Sequence, residues 1–197
     1  TALEIKAAAY TVAEIKAAAF VAADLRTQGF TVFELKTGGY NATELKTGGY
    51  SATELKAASF SKTDLKTANF TAREMKTSAY TSTELKAEGY TVREMREGLY
   101  SATSMVTAGF TGLEMKQGGY SAKELRNASI STASLRTLGY DGKEMKSSLF
   151  SASQLKSVGY TLTELKEGRY TKQNLLDAGY SAQEAEIEFK ISGAAID

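Results

Sequence analysis

Tyr50-Ser51-Ala52-Thr53-Glu54-Leu55-Lys56-Ala57-Ala58-Ser59-Phe60 holds the start, body and stop of one very short helix. Ser51 and Glu54 stand three residues apart, the spacing of a capping box. The hydroxyl accepts from the backbone N–H of residue 54, and the carboxylate accepts from the N–H of residue 51. Tyr50 and Leu55 flank the cap as the two halves of a hydrophobic staple, which sets the angle of chain entry. At the other end Ser59 occupies the slot of a left-handed residue closing a Schellman turn, which would fold Phe60 back onto Leu55. At 100° per residue Ala52, Leu55, Ala58 and Ser59 share an apolar arc of roughly 120°, while Thr53 and Ala57 point away from it.

Read outward, the unit recurs every ten residues from Thr1 to Tyr180 without an insertion, giving eighteen copies. Position five is Ile, Leu or Met in every copy, from Ile5 to Leu175, and position ten is Tyr or Phe except at Ile130. Position one is Ser, Thr, Asn or Asp except at Val21. Position nine is Gly in nine copies, from Gly29 to Gly179, where positive φ carries no Cβ penalty. Leu99, Leu149 and Arg169 fill the same slot and disfavour that conformation. The helix stop is therefore expected one residue earlier, at Gly98 and Gly168, in two of these copies, and Leu149 has no such substitute.

A helix of about six residues is far shorter than the ~12–15 needed for marginal stability alone, so each copy must draw its stability from its neighbours. Odd and even copies show no consistent difference. One screw operation is thus expected to relate each helix to the next, with no twenty-residue hairpin as the true unit. The fold class is all-α: a superhelical solenoid of tandem ten-residue single-helix repeats over residues 1–180, with a divergent repeat and C-terminal cap over 181–197. The first two copies are Ala-rich at Ala7–Ala9 and Ala17–Ala19. The nineteenth keeps Ser181 and Glu184 but puts Ala185 at position five and continues as Glu186-Ile187-Glu188-Phe189-Lys190-Ile191, either a short strand or a longer closing helix. A start at Thr1, in mid-pattern and without Met, suggests processing or a piece of a longer array.

With neither Cys nor His, disulfides, thiolate chemistry and nearly all transition-metal sites are excluded, and no cofactor is expected. Carboxylates and hydroxyls recur at spacings set by capping, which leaves no general base or nucleophile of the usual kind, so the expectation is a protein that is not an enzyme. Net charge is +1, and no apolar run approaches the ~18 residues of a membrane span. Three sequons, at Asn41, Asn69 and Asn127, follow from a composition with Ser or Thr at fixed slots. Fourteen of eighteen copies carry Glu or Asp at position four and sixteen carry Lys or Arg at position six, which reads as charge matched to the two ends of each helix's own dipole. A phosphate track along the basic row is disfavoured because the acidic row is equally regular, so nucleic acid is an unlikely partner. An ice-binding Thr lattice is interrupted by Arg73, Glu97, Lys123 and Lys143.

Leu or an aromatic residue at every fifth position resembles the pentapeptide-repeat family, and that resemblance implies a right-handed β-helix with small residues at a second inward slot. Phe33, Arg73, Arg93, Lys123 and Lys143 would fill the small slot of one set of turns, and Gln28 and Glu88 that of the other, so the match fails at these positions. In layout the chain looks like an α-solenoid, a class that mostly binds macromolecules. The expected function is a non-enzymatic repeat scaffold, a protein–protein interaction array read through positions three and seven. The candidate surface is Phe33, Arg73, Arg93, Leu113, Lys123 and Lys143. The alternative is a structural element that self-associates through acidic and basic stripes.

Overall fold

The computed structural model describes residues 10–191. The Ala-rich first copy, apart from Tyr10, and the final residues 192–197 of the expected cap lie outside them. Contacts gather into two compact units, divided between Tyr100 and Ser101. The first carries α1 (Val12–Ala17), α2 (Ala22–Thr27), α3 (Val32–Thr37), α4 (Ala42–Thr47), α5 (Ala52–Ala57), α6 (Lys62–Thr67), α7 (Ala72–Thr77), α8 (Ser82–Ala87) and α9 (Val92–Glu97). The second carries α10 (Ala102–Thr107), α11 (Gly112–Gln117), α12 (Ala122–Asn127), α13 (Thr132–Thr137), α14 (Gly142–Ser147), α15 (Ala152–Ser157), α16 (Leu162–Glu167), α17 (Lys172–Asp177) and α18 (Ala182–Ile191). No strand occurs among the described residues, which rules out the β-helix.

Each six-residue helix fills positions two to seven, and its start is set locally. Thr31 Oγ1 accepts from the Glu34 N–H at 3.2 Å, and Glu34 Oε2 accepts from the Thr31 N–H at 2.7 Å. The reciprocal pair also forms with Asn41 and Glu44, with Asp141 and Glu144, and with Ser151 and Gln154. Ser101 and Ser131 keep only the forward half, accepting from the N–H groups of Ser104 and Ser134, and Val21 has no side-chain cap.

The stop is the same from α1 to α17. Tyr50 N–H donates to Leu45 C=O at 3.0 Å and Gly49 N–H to Lys46 C=O at 2.8 Å, the two bonds of a Schellman turn. Leu99, Leu149 and Arg169 adopt it as well, each with φ +63°, so the stop does not move back to Gly98 or Gly168. A left-handed side chain costs roughly 1–2 kcal/mol, and two turn bonds together with the fixed ten-residue register offset it. Gly98 and Gly168 serve close packing instead. A Cβ on Gly98 would lie 2.8 Å from Ala72 Cβ, and one on Gly168 would lie 2.5 Å from the Gly142 carbonyl carbon. Position nine also leaves the expected apolar arc: the helix has ended at position seven, and Ser59 is exposed.

Position five forms the centre of the core, from Ile15 at 2% exposure to Leu175 and Ala185 at 0%. The position-ten rings lie beside it, with Tyr50 at 3% and Tyr120 at 2%, and the small residues of positions two and eight close the packing. The main packing partner of a helix is the helix two copies along. In the first unit α2 packs on α4 and α4 on α6, while α5 packs on α7 and α7 on α9. In the second unit α10, α12, α14, α16 and α18 form one such series, and α15 packs on α17. Successive copies therefore fall into two stacks with a twenty-residue spacing, although no sequence difference separates odd from even. The nineteenth copy is a ten-residue helix, not a strand, and packs on α16 and α17.

Candidate interaction surface

The charged and aromatic rows are joined to one another across copies. A Tyr at position ten donates its hydroxyl to the position-ten carbonyl two copies earlier: Tyr50 to Phe30 at 2.5 Å, Tyr90 to Phe70 at 2.6 Å, Tyr140 to Tyr120 at 2.5 Å and Tyr170 to Phe150 at 2.6 Å. Burial, reinforced by the Glu94 carboxylate, pushes the Tyr90 phenol up to about 12. Tyr100 and Tyr170 are likewise raised to about 12, first by burial.

The position-six cation reaches the other way. Lys46 Nζ donates to Asn69 C=O at 2.5 Å, lies 4.5 Å from the Phe70 ring centroid and stands 3.5 Å from Glu74. Lys36 donates to both Ala58 and Ser59 carbonyls at 2.8 Å, and Lys156 to Gly179 at the same distance. Ion pairs three copies along join Lys66 to Glu94 at 2.9 Å and Arg136 to Glu164 at 3.2 Å. The cations thus complement the C-terminus of the helix two copies later, not chiefly that of their own. The reason is reach: a Lys stem laid over the stacked ring brings its ammonium to the turn carbonyls of the next helix in the stack.

The acids serve twice, as N-cap partner and as ion-pair partner. Burial pushes the Glu94 carboxyl up, but the Thr91 backbone N–H, Lys66 and the Thr91 hydroxyl together hold it below its ordinary value. At Glu84 the Thr81 backbone N–H is the largest influence, and the carboxyl is again lowered.

Positions three and seven are exposed in every described copy, as is position nine, and two position-three hydroxyls bond across copies, Thr53 with Ser78 and Thr63 to Glu88, both at 2.9 Å. Several position-seven hydroxyls turn back onto their own helix, Thr37 to Phe33 C=O at 3.0 Å and Thr77 to Arg73 C=O at 3.1 Å. The six candidate residues are all exposed and do not form one patch. Phe33, 70% exposed, lines a groove of about 430 Å³ with Arg26, Tyr50 and Glu54. Arg73 lines one of about 310 Å³ with Glu94 and Glu97, and Arg93 stands on the helix stacked against that of Arg73. Lys123 and Lys143, on the stacked pair α12 and α14, share a groove of about 640 Å³ with Lys116, Asp141 and Glu144. Leu113 stands apart on α11 at 52% exposure. No group of acidic residues among the described ones is arranged to hold a metal ion.

The model of the decapeptide repeat region family matches residues 1–72, 49–122, 69–142 and 119–188. The chain belongs to this family. No curated protein and no solved structure matches it.

The decapeptide repeats also carry a record of the cross-copy contacts that position-by-position reading overlooked. Inside the array Val106 is the one copy without a cation at position six. Its register partners 24 and 28 residues on are Ile130, the one non-aromatic residue at position ten, and Ser134, a position four without an acid. At this site cation, ring and carboxylate change together, whereas Ser104, Gln154 and Asn174 lack an acid although Lys76, Arg126 and Lys146 stand 28 residues before them. Positions two and eight, 26 residues apart, are matched in size: Val12 fills the space above Gly38, and Leu138 sits against Gly112.

Proposed function

We propose that the protein is a non-enzymatic decapeptide-repeat scaffold whose positions three and seven bind a protein partner. The observation that carries this reading is the division of labour within the repeat. Positions one, four, six and ten are engaged in caps and cross-copy bonds, whereas position three is exposed throughout and varies among Phe, Arg, Lys, Leu, Thr, Ser, Ala and Gln. A surface that varies over a constant frame is what a recognition array requires. Because the position-six cations are tied to carbonyls, rings and acids, the basic row is poorly placed to follow a phosphate backbone. The same pairing opposes self-association through charge stripes, since each stripe finds its complement within its own chain. An enzyme is disfavoured because the hydroxyls and carboxylates are held in caps.

Site-specific photo-cross-linking in cells tests the proposal. A benzophenone side chain at positions 33, 73, 93 or 123 is expected to trap a defined protein, and one at the neighbouring position-nine residues 39, 79 and 129 is not. Equal trapping at both sets, or none at any position, refutes a recognition face at position three. Sedimentation at low and high salt addresses the charge-stripe reading: a mass that falls as salt rises would favour it.

A further inference from the structure

The cation links to copies two and three ahead within the second unit stop at its C-terminal end. Lys156 reaches Gly179 C=O at 2.8 Å in copy eighteen, and Lys166 reaches Glu188 C=O in copy nineteen, with its Nζ 3.8 Å from the Glu188 carboxylate. In those two receiving copies position six is Leu176 and Glu186, so neither has a cation to pass forward. Because successive copies alternate between stacks, both stacks lose the forward link at once. Val106 shows that a missing cation inside the array is accompanied by changes in the ring and acid it would meet. Here the two absences are consecutive.

Three further changes act at the same end. Helix α18 runs on to Ile191 through positions eight to ten, where every other described copy turns. It therefore presents no left-handed residue; Lys190 stands at position ten, and Phe189, one residue earlier, supplies the ring that Lys166 meets at 5.6 Å. Ala185 at position five is fully buried but shorter than Leu, which tapers the core. Glu186 is joined to Lys172 and to Lys190, the latter at 3.3 Å, which places charge on the last two helices beside Ile187 and Phe189, 51% and 37% exposed.

We propose that copies eighteen and nineteen form a terminator, a face built so that no further decapeptide repeat, in the same chain or from a second copy of it, stacks on this end. Repeat arrays need such a face because an unfinished end offers its core and backbone groups to any similar array. The terminator acts through the absent cations at 176 and 186, which leave the turns of any added copy without their donor.

The test replaces residues 191–197 with the sequence of residues 41–70, three repeats in register, and follows amide hydrogen exchange in the added segment. The natural end is compared with one carrying Leu176→Lys, Ala185→Leu, Glu186→Lys, Phe189→Gly and Lys190→Tyr. On the natural end the added amides are expected to exchange as in an unfolded peptide. On the restored end they are expected to exchange at least tenfold more slowly. Protection on the natural end overturns the proposal. So does lack of protection on both ends while residues 101–180 keep theirs, because the stop would then not reside in these residues. Should the five-residue variant lose protection in 101–180, the Leu176→Lys and Glu186→Lys pair is read by the same criterion.

Discussion

Removing the ammonium of Lys46 while keeping its stem separates the cross-copy lattice from simple surface charge. Lys46→Met deletes a charged hydrogen bond to Asn69 C=O, a cation–ring contact with Phe70 and an ion pair with Glu74. A hydrogen bond to a charged group contributes about 1.5–3 kcal/mol. The ring contact adds about 0.5–1, and an ion pair to a carboxylate 43% exposed adds about 0–1. Ordering a Lys side chain costs about 1.5–2 kcal/mol, so the net loss expected lies within about 0–3.5 kcal/mol, with its middle at about 2. Lys123→Met, on the exposed face, should change stability by less than about 0.5 kcal/mol. Urea unfolding gives both values from the shift in midpoint at unchanged slope. At about 1 M salt the Debye length shrinks to roughly 3 Å, which suppresses the Glu74 term but leaves the carbonyl and ring contacts. More than half of the Lys46 effect should survive there. Equal costs for the two variants, or complete loss of the Lys46 effect in salt, would refute the lattice as a source of stability.

Leu149→Gly should stabilise by about 0.5–1 kcal/mol, because Leu149 holds φ +63° at 72% exposure and Gly removes the left-handed penalty; a lowered urea midpoint would mean that the exposed side chain has a compensating role. Leu85→Ala should cost about 2–5 kcal/mol through the cavity it leaves in a fully buried site, whereas Thr83→Ala, at exposed position three, should cost well under about 1; thermal unfolding of the two variants tells them apart, and similar shifts would contradict the assignment of faces. Stability should fall at both pH extremes. The lowered carboxyls of Glu84 and Glu94 release their protons more readily when folded, so their contribution is present above the ordinary carboxylate value and is lost as pH drops through the folded one. The raised phenols of Tyr90, Tyr100 and Tyr170 act oppositely: above about pH 10 the unfolded chain loses the proton first, and stability declines toward pH 12. A urea midpoint flat between pH 9 and pH 12 would show that the hydroxyl ladder does not titrate with folding.

Helix starts, core positions and the outward face were legible because they rest on contacts spanning at most five residues. Ser51 finds the Glu54 N–H, and Phe60 N–H finds Leu55 C=O, whatever the rest of the chain does. Leu99, Leu149 and Arg169 were harder, since propensity argues against a left-handed conformation that register and turn bonds nevertheless impose. The candidate residues are exposed, and which of them share a patch depends on stacking that periodicity leaves open.

From the sequence alone come the ten-residue unit, its caps, the buried row at position five and the exposed row at position three. Only the packed structure decides that a copy meets the one two ahead, that Lys46 belongs to Phe70 and Glu74, and that Tyr50 bonds back to Phe30. A hydrogen bond closed within one turn is specified by the spacing of its two residues. A contact across twenty to twenty-eight residues depends on how helices rotate about each junction. That rotation is set jointly by side-chain volumes such as Val12 over Gly38, so a single copy does not contain it.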